Sequence, residues 1–152
     1  MNIYLFDINR TLAPSGSNIN SEFQTFFIDW MTDKHVILVT ESEKNDTVSQ
    51  IGEVIWTASK RVYQSNANIQ YRGSTGPDAM WLSQRGANDR IKSNVLDDFD
   101  YYRTNHWNTC HVTYFGTDSQ TIEKLENEWN TSNKTYTVHQ PNAYTDTWDI
   151  LK

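Results

Sequence analysis

The sequence predicts an α/β domain built on a mainly parallel β-sheet. Three observations carry this expectation. Short apolar runs such as residues 2–8 (NIYLFDI) and 35–40 (HVILVT) lack polar alternation, the pattern of strands buried on both faces. Strand and helix signals alternate at both ends of the chain, as parallel sheets with crossover helices require. The length of 152 residues fits one domain large enough for an ordinary hydrophobic core.

The elements follow in order. Residues 2–8 read as a buried strand ending in an acid, and NRTLAPSGSN, rich in turn formers, as a loop. Ser21 and Gln24 have capping-box spacing. Phe23, Phe26, Phe27, Trp30 and Met31 then recur at helical spacing, and Asp33-Lys34 closes that helix. His35–Thr40 is a second strand, rich in β-branched residues. Ser42 is placed to cap a second helix, with Val48 and Ile51 inward and Gly52 as its stop. Val54-Ile55-Trp56 reads as a third short strand. Arg61–Tyr63 and Ile69–Tyr71 flank a hairpin turn, and residues 88–97 suit a helix with Ile91 and Val95 inward. The alternation resumes with a strand at 110–115, a helix at 120–129, a strand at 135–138 and a helix at 144–151. The expected architecture is a Rossmann-like, three-layer α/β/α single domain spanning 1–152, with the first strand central.

Composition narrows the classes of function. Apolar residues make up 37% and charged residues 21% of the chain, and six Trp and eight Tyr argue against disorder. The formal net charge of −6 disfavours bulk binding to polyanions, so a nucleic acid could engage only through a local basic patch. Lys60, Arg61, Arg72, Arg85 and Arg90 are candidates for such a patch, or are scattered surface charge. Cys110 is the lone cysteine, so no internal disulfide can form, and its strand context reads as a buried thiol. Charge at Asp7 interrupts any leader-like apolar run, and no run approaches the ~20 residues of a membrane span. A cytoplasmic protein without a membrane partner is expected. His35, His106, His111 and His139 lack metal-ligand spacing.

In open α/β sheets ligands bind beyond the carboxyl ends of the strands, near the reversal of strand order. The polar residues that follow predicted strands are Asp7, then Thr40 and Ser42, then Thr117, Asp118 and Ser119. Two carboxylates and several hydroxyls converging on one edge suit Mg²⁺-assisted phosphoryl transfer. One carboxylate attacks phosphorus, another holds the metal, and hydroxyls or a lysine bind the phosphoryl oxygens.

Phe6-Asp7-Ile8-Asn9-Arg10-Thr11-Leu12 resembles the first motif of the haloacid-dehalogenase-like (HAD) hydrolases, D-x-D-x-T-L, after an N-terminal strand. Val36–Thr40 resembles the second motif, an apolar strand ending in Thr or Ser. Lys92 lies where the third-motif lysine can fall, and Tyr114-Phe115-Gly116-Thr117-Asp118 resembles the fourth. The T-L-A-P-S-G start, the I-G-E-V-I-W step and the closing T-V-H-Q-P-N-A-Y-T-D-T-W-D-I-L are similar to the phosphomannomutase-type branch. The resemblance implies an Mg²⁺-dependent phosphatase acting through an aspartyl-phosphate. Asp7 would be the nucleophile, and Asp7, the Asn9 carbonyl and Asp118 would hold the metal. Thr11 would order the loop, and Thr40, Ser42 and Lys92 would bind phosphoryl oxygens. Thr40 and Ser42 equally suit helix capping, and Lys92 a solvated helix face.

Four departures from the family pattern matter. Asn9 stands where the family carries an Asp as general acid and base, and an amide cannot donate and recover a proton as an acid does. Arg10 replaces a usual Gly. The fourth motif holds one extra residue, Thr117, and its second acid has only Glu123 as a candidate. A sizeable cap domain is missing, because only residues 57–91 lie between the second and third motifs. By analogy, uncapped relatives act on large substrates whose own bulk closes the site, so the expected partner is a phosphorylated substrate, a small molecule or the end of a macromolecule, with a large one favoured. Loss of the acid leaves a second reading open, a non-catalytic domain of the same fold that binds a protein or a phosphorylated ligand.

Overall fold

A computed structural model describes residues 2–40, 44–59, 61–63, 69–71, 111–126 and 135–152. Within these residues the chain is α/β. The strands are β1 (Asn2–Asp7), β2 (His35–Val39), β3 (Arg61–Tyr63), β4 (Ile69–Tyr71), β5 (His111–Phe115) and β6 (Thr135–His139). They form one sheet in the order β4-β3-β2-β1-β5-β6. Pairings β1–β2, β1–β5, β2–β3 and β5–β6 are parallel, and β4 lies antiparallel at one edge. This is compatible with a Rossmann-like fold, with the Asp7 strand in the interior of the sheet as expected. The expected hairpin of 61–63 with 69–71 is present as the β3–β4 pair.

The helices are α1 (Ser21–Met31), α2 (Lys44–Ile51), α3 (Glu53–Ala58), α4 (Ser119–Lys124) and α5 (Tyr144–Leu151). Helix α1 follows from its pattern: Phe23, Phe27 and Met31, four apart, are buried along one stripe. They meet Phe6, Val36, Leu38 and Phe115 from one face of the sheet, with Ile51, Ile55 and Trp56 completing the cluster. Each such side chain contributes roughly 1.5–3 kcal/mol on burial. Phe6 is the hub, stacked on Phe115 at 4.7 Å and edge-on to Phe27 at 5.1 Å. Aromatic geometry of this kind adds ~0.5–1.5 kcal/mol per pair. Trp148 of α5 closes over Phe23 at 5.4 Å. Strand residues of opposite parity, Ile3, Leu5, Ile37, Val112 and Tyr114, are buried as well, which explains why these strands show no polar alternation.

Two local expectations are corrected. Val54-Ile55-Trp56 is not a strand but part of α3, and the third strand lies at Arg61–Tyr63. Gly52 is the reason: at φ +95° it ends α2 and starts α3, a left-handed geometry that glycine adopts without steric penalty. A Cβ there would also sit 2.5 Å from Gln24 Nε2. The turn of α3 buries Ile55 and Trp56 while leaving Val54 exposed, so packing overrides the β propensity of the run. The α1 cap is Asn20, not Ser21. Its Oδ1 accepts from the Glu22 and Phe23 amides, both at 3.0 Å. Gln24 does not reach back to the cap; its Nε2 donates to the Ile51 carbonyl at 2.9 Å and ties α1 to α2. Helix α1 ends at Met31 with Thr32 as C-cap, just short of Asp33.

Candidate functional site

The order of the sheet reverses at β1. From there the chain runs to β2 and β3 on one side and returns through β5 to β6 on the other. The crevice beyond the carboxyl ends of β1 and β5 is therefore the topological switch point. Asp7 ends β1, and Phe6 pairs with Phe115, the last residue of β5. The turn Gly116-Thr117-Asp118 thus leaves the sheet beside Asp7. Asp118 is exposed and Asp7 half-buried. Side-chain alternation places Asp7 on the same face as Leu5 and its register partner Tyr114.

A densely bonded loop follows Asp7. The Asp7 carboxylate accepts the Ile8 amide at 2.9 Å. The Ile8 carbonyl accepts three amides, from Thr11, Leu12 and Ala13, at 3.2, 2.8 and 3.2 Å, and the Arg10 amide returns to the Ala13 carbonyl at 2.8 Å. Thr11, Leu12 and Ala13 are buried. This winding needs a left-handed residue, and Arg10 supplies it at φ +67°. A side chain in that conformation costs ~1–2 kcal/mol in steric strain.

Asn9 has a definite occupation. Its Oδ1 accepts the Gly16 amide at 3.1 Å and Gln50 Nε2 at 2.7 Å. Gln50 Nε2 also donates to the Pro14 carbonyl at 3.2 Å, and its backbone carbonyl accepts the Ile19 amide at 2.9 Å. The amide orientations follow from their partners: a backbone N–H can only donate, so Oδ1 faces Gly16, and the group facing Oδ1 and Pro14 must be the Gln50 amine. Asn9 therefore clasps the loop to α2. Its own carbonyl takes no part in the bridge to Ala13, which is made by the Arg10 and Ala13 amides.

Of the other predicted residues, Thr40 is buried at the end of β2, with its hydroxyl 3.0 Å from that of Thr47 in α2. It thus bonds to the helix that follows its strand. Ser42 and Lys92 lie outside the described residues, as do Cys110, the helix expected at 88–97 and the basic residues 60, 72, 85 and 90. Thr117 and Ser119 are exposed beside Asp118, and Ser119 starts α4. Glu123 is exposed on α4, one turn beyond that start.

Three residues at this edge were not legible as site residues. Gln50 sits on a helix far along the chain. Tyr114, read as an apolar motif residue, is buried with its hydroxyl accepting the Asp118 amide at 3.3 Å. His139 ends β6, accepts the Gly116 amide through its carbonyl at 3.0 Å and packs its ring on Phe115 at 4.7 Å. Burial lowers its imidazole pKa from the ordinary value.

Chemically the edge offers a carboxylate at a strand end and a second on the neighbouring turn. These are hard oxygen donors of the kind Mg²⁺ takes. A separate cleft of about 620 Å³ opens at the opposite edge, between the starts of β1 and β2 and helices α1 and α3. Its charged pair, Asp33 and Lys34, is closed on itself at 2.8 Å. No helix among the described residues is long and apolar enough to cross a membrane. Compared with known proteins, the chain matches no family model and no curated sequence.

Proposed function

We propose that this chain is an Mg²⁺-dependent phosphatase of the HAD-like type, a single three-layer α/β/α domain with an open, capless site. The observation that carries the reading is the position of Asp7. It ends an interior parallel strand at the switch point, beside the turn that bears Asp118. Asp7 attacks phosphorus as the P–O ester bond breaks, the leaving oxygen takes its proton from water, and a second water then hydrolyses the aspartyl-phosphate to free phosphate and regenerate Asp7. The donor set fits a magnesium ion: Asp7, Asp118 and the Asn9 carbonyl would hold it, and all are oxygen ligands on one edge. When bound, the ion withdraws charge from the phosphoryl oxygens. Thr11 is buried in the loop and orders it, while Thr40, Ser42 and Lys92 serve the phosphoryl oxygens. Without a cap, a phosphorylated small molecule or macromolecule end can approach from solvent. The test is a phosphatase screen with Mg²⁺ over sugar phosphates, nucleotides and 3′- or 5′-phosphorylated oligonucleotides, with aryl phosphates as activated substrates. Turnover that Asp7→Asn abolishes supports the reading, and silence on every substrate refutes it.

One observation favours a second reading, a non-catalytic domain that binds a protein or a phosphorylated ligand. The Asn9 side chain is engaged with Gly16 and Gln50 and serves the loop, and an amide there supplies no proton. Pull-down experiments with a chain inactive on all substrates would take this reading up.

A further inference from the structure

Gly116 follows β5 on the same face as Tyr114, and a Cβ on it would collide with the Tyr114 hydroxyl and lie 3.0 Å from the Asp7 Cβ. The space that a side chain would fill at residue 116 is therefore taken by a phenol oxygen reaching forward from residue 114. That oxygen belongs to a fully buried side chain, and it accepts the Asp118 amide at 3.3 Å. A buried hydroxyl needs hydrogen-bond partners, and a turn that leaves a sheet needs something to fix its direction. Tyr114 meets both needs at once. Its ring is anchored in the sheet, where it pairs in register with Leu5 two residues before Asp7. Its oxygen accepts the Asp118 amide and, like the Asp7 Cβ, borders the space beside Gly116.

We infer that Tyr114 is a positioning residue that sets the distance and angle between the Asp7 and Asp118 carboxylates. It touches neither substrate nor metal in this role. It acts by holding the start of the Asp118 turn against β1. The inference deepens the phosphatase reading and rests on it for the purpose of the two carboxylates. Glycine at 116 is part of the same device, because the phenol oxygen occupies the room that a side chain would need.

The test uses the full chain, ¹⁵N-labelled, as wild type and Tyr114→Phe, each titrated with MgCl₂ and followed by amide resonances. The substitution removes one oxygen and keeps the ring, so the sheet should remain folded. The Asp118 amide is expected to shift and to exchange faster with solvent in the variant. Mg²⁺ affinity is expected to fall roughly two- to tenfold, the equivalent of one net hydrogen bond. An unchanged Asp118 amide overturns the inference. So does a shifted amide with unchanged Mg²⁺ affinity, which would make the hydroxyl merely structural. If the wild-type resonances of Asp7, Asn9 and Asp118 ignore Mg²⁺, the metal-dependent reading itself fails and the inference falls with it. The wild-type titration alone separates that case.

Discussion

The two turns that meet at the switch point are built differently. The turn after β1 is bonded almost residue by residue: one carbonyl gathers three amides, three consecutive residues are buried, and Asn9 and Gln50 clasp it to α2. The turn after β5 is the more exposed of the two. Gly116 is tied to His139 and Asp118 to Tyr114 and to Ile122, while Thr117, Asp118 and Ser119 are exposed. On the proposed phosphatase reading a nucleophile must be fixed to within a fraction of an ångström, and the bonding of the first turn suits that role.

The largest effects should come from the stiff turn. On the proposed phosphatase reading, Asp7→Asn is expected to reduce turnover to background, since an amide is no nucleophile towards phosphorus. The variant keeps an oxygen to accept the Ile8 amide, so circular dichroism should be unchanged. Asn9→Asp is expected to raise turnover, up to ~10²–10⁴-fold for substrates with poor leaving groups. An aspartate can accept the same two bonds from Gly16 and Gln50, so the loop should survive. Steady-state kinetics with Mg²⁺ on aryl and alkyl phosphates decide both. If Asn9→Asp restores nothing while Asp7→Asn also changes nothing, the stiff turn is a scaffold and not a catalyst.

The exposed turn should respond through packing. Gly116→Ala drives a methyl group into the Tyr114 hydroxyl and towards Asp7. Overpacking of this kind typically costs ~1–3 kcal/mol, which urea denaturation resolves. A loss near zero would mean that the turn shifts freely, sharpening the contrast with its neighbour. The smallest effect is expected at Arg10→Gly. Relief of the left-handed backbone, less the extra freedom of glycine in the unfolded chain, should stabilise the protein by ~0.5–1 kcal/mol. Thermal denaturation would show a modest rise in Tm.

Much of the fold was legible because burial leaves its mark on composition. The strands at 2–7, 35–39 and 111–115 and the helix at 144–151 lie where apolar runs and periodicity put them. Val54–Trp56 misled because three β-branched and aromatic residues look alike on a strand and on one buried helical turn. Only the backbone of Gly52 decides between them. Asn20 was passed over for Ser21 because adjacent residues of similar capping strength differ only in backbone angle. At the site, Asp7 and Asp118 were legible as strand-end acids. Gln50 and Tyr114 were not, because a glutamine on a helix and a tyrosine in a strand give no sign of what they reach. Those contacts depend on how the sheet brings distant segments together.

The interior place of β1 has a consequence for how this protein comes into being. One neighbour of β1, the strand at 35–39, follows it closely. The other, at 111–115, pairs Asn2 with His111 across most of the chain. Until that strand is available, β1 keeps one side of its backbone unpaired, a template for association with other chains. Closing so long a loop also slows folding relative to local pairing. A fragment ending before residue 111 would hold Asp7 without the turn that faces it, and would present the sticky side of β1 to solvent. The meeting of the Asp7 and Asp118 segments and the covering of that side of β1 thus depend on one pairing.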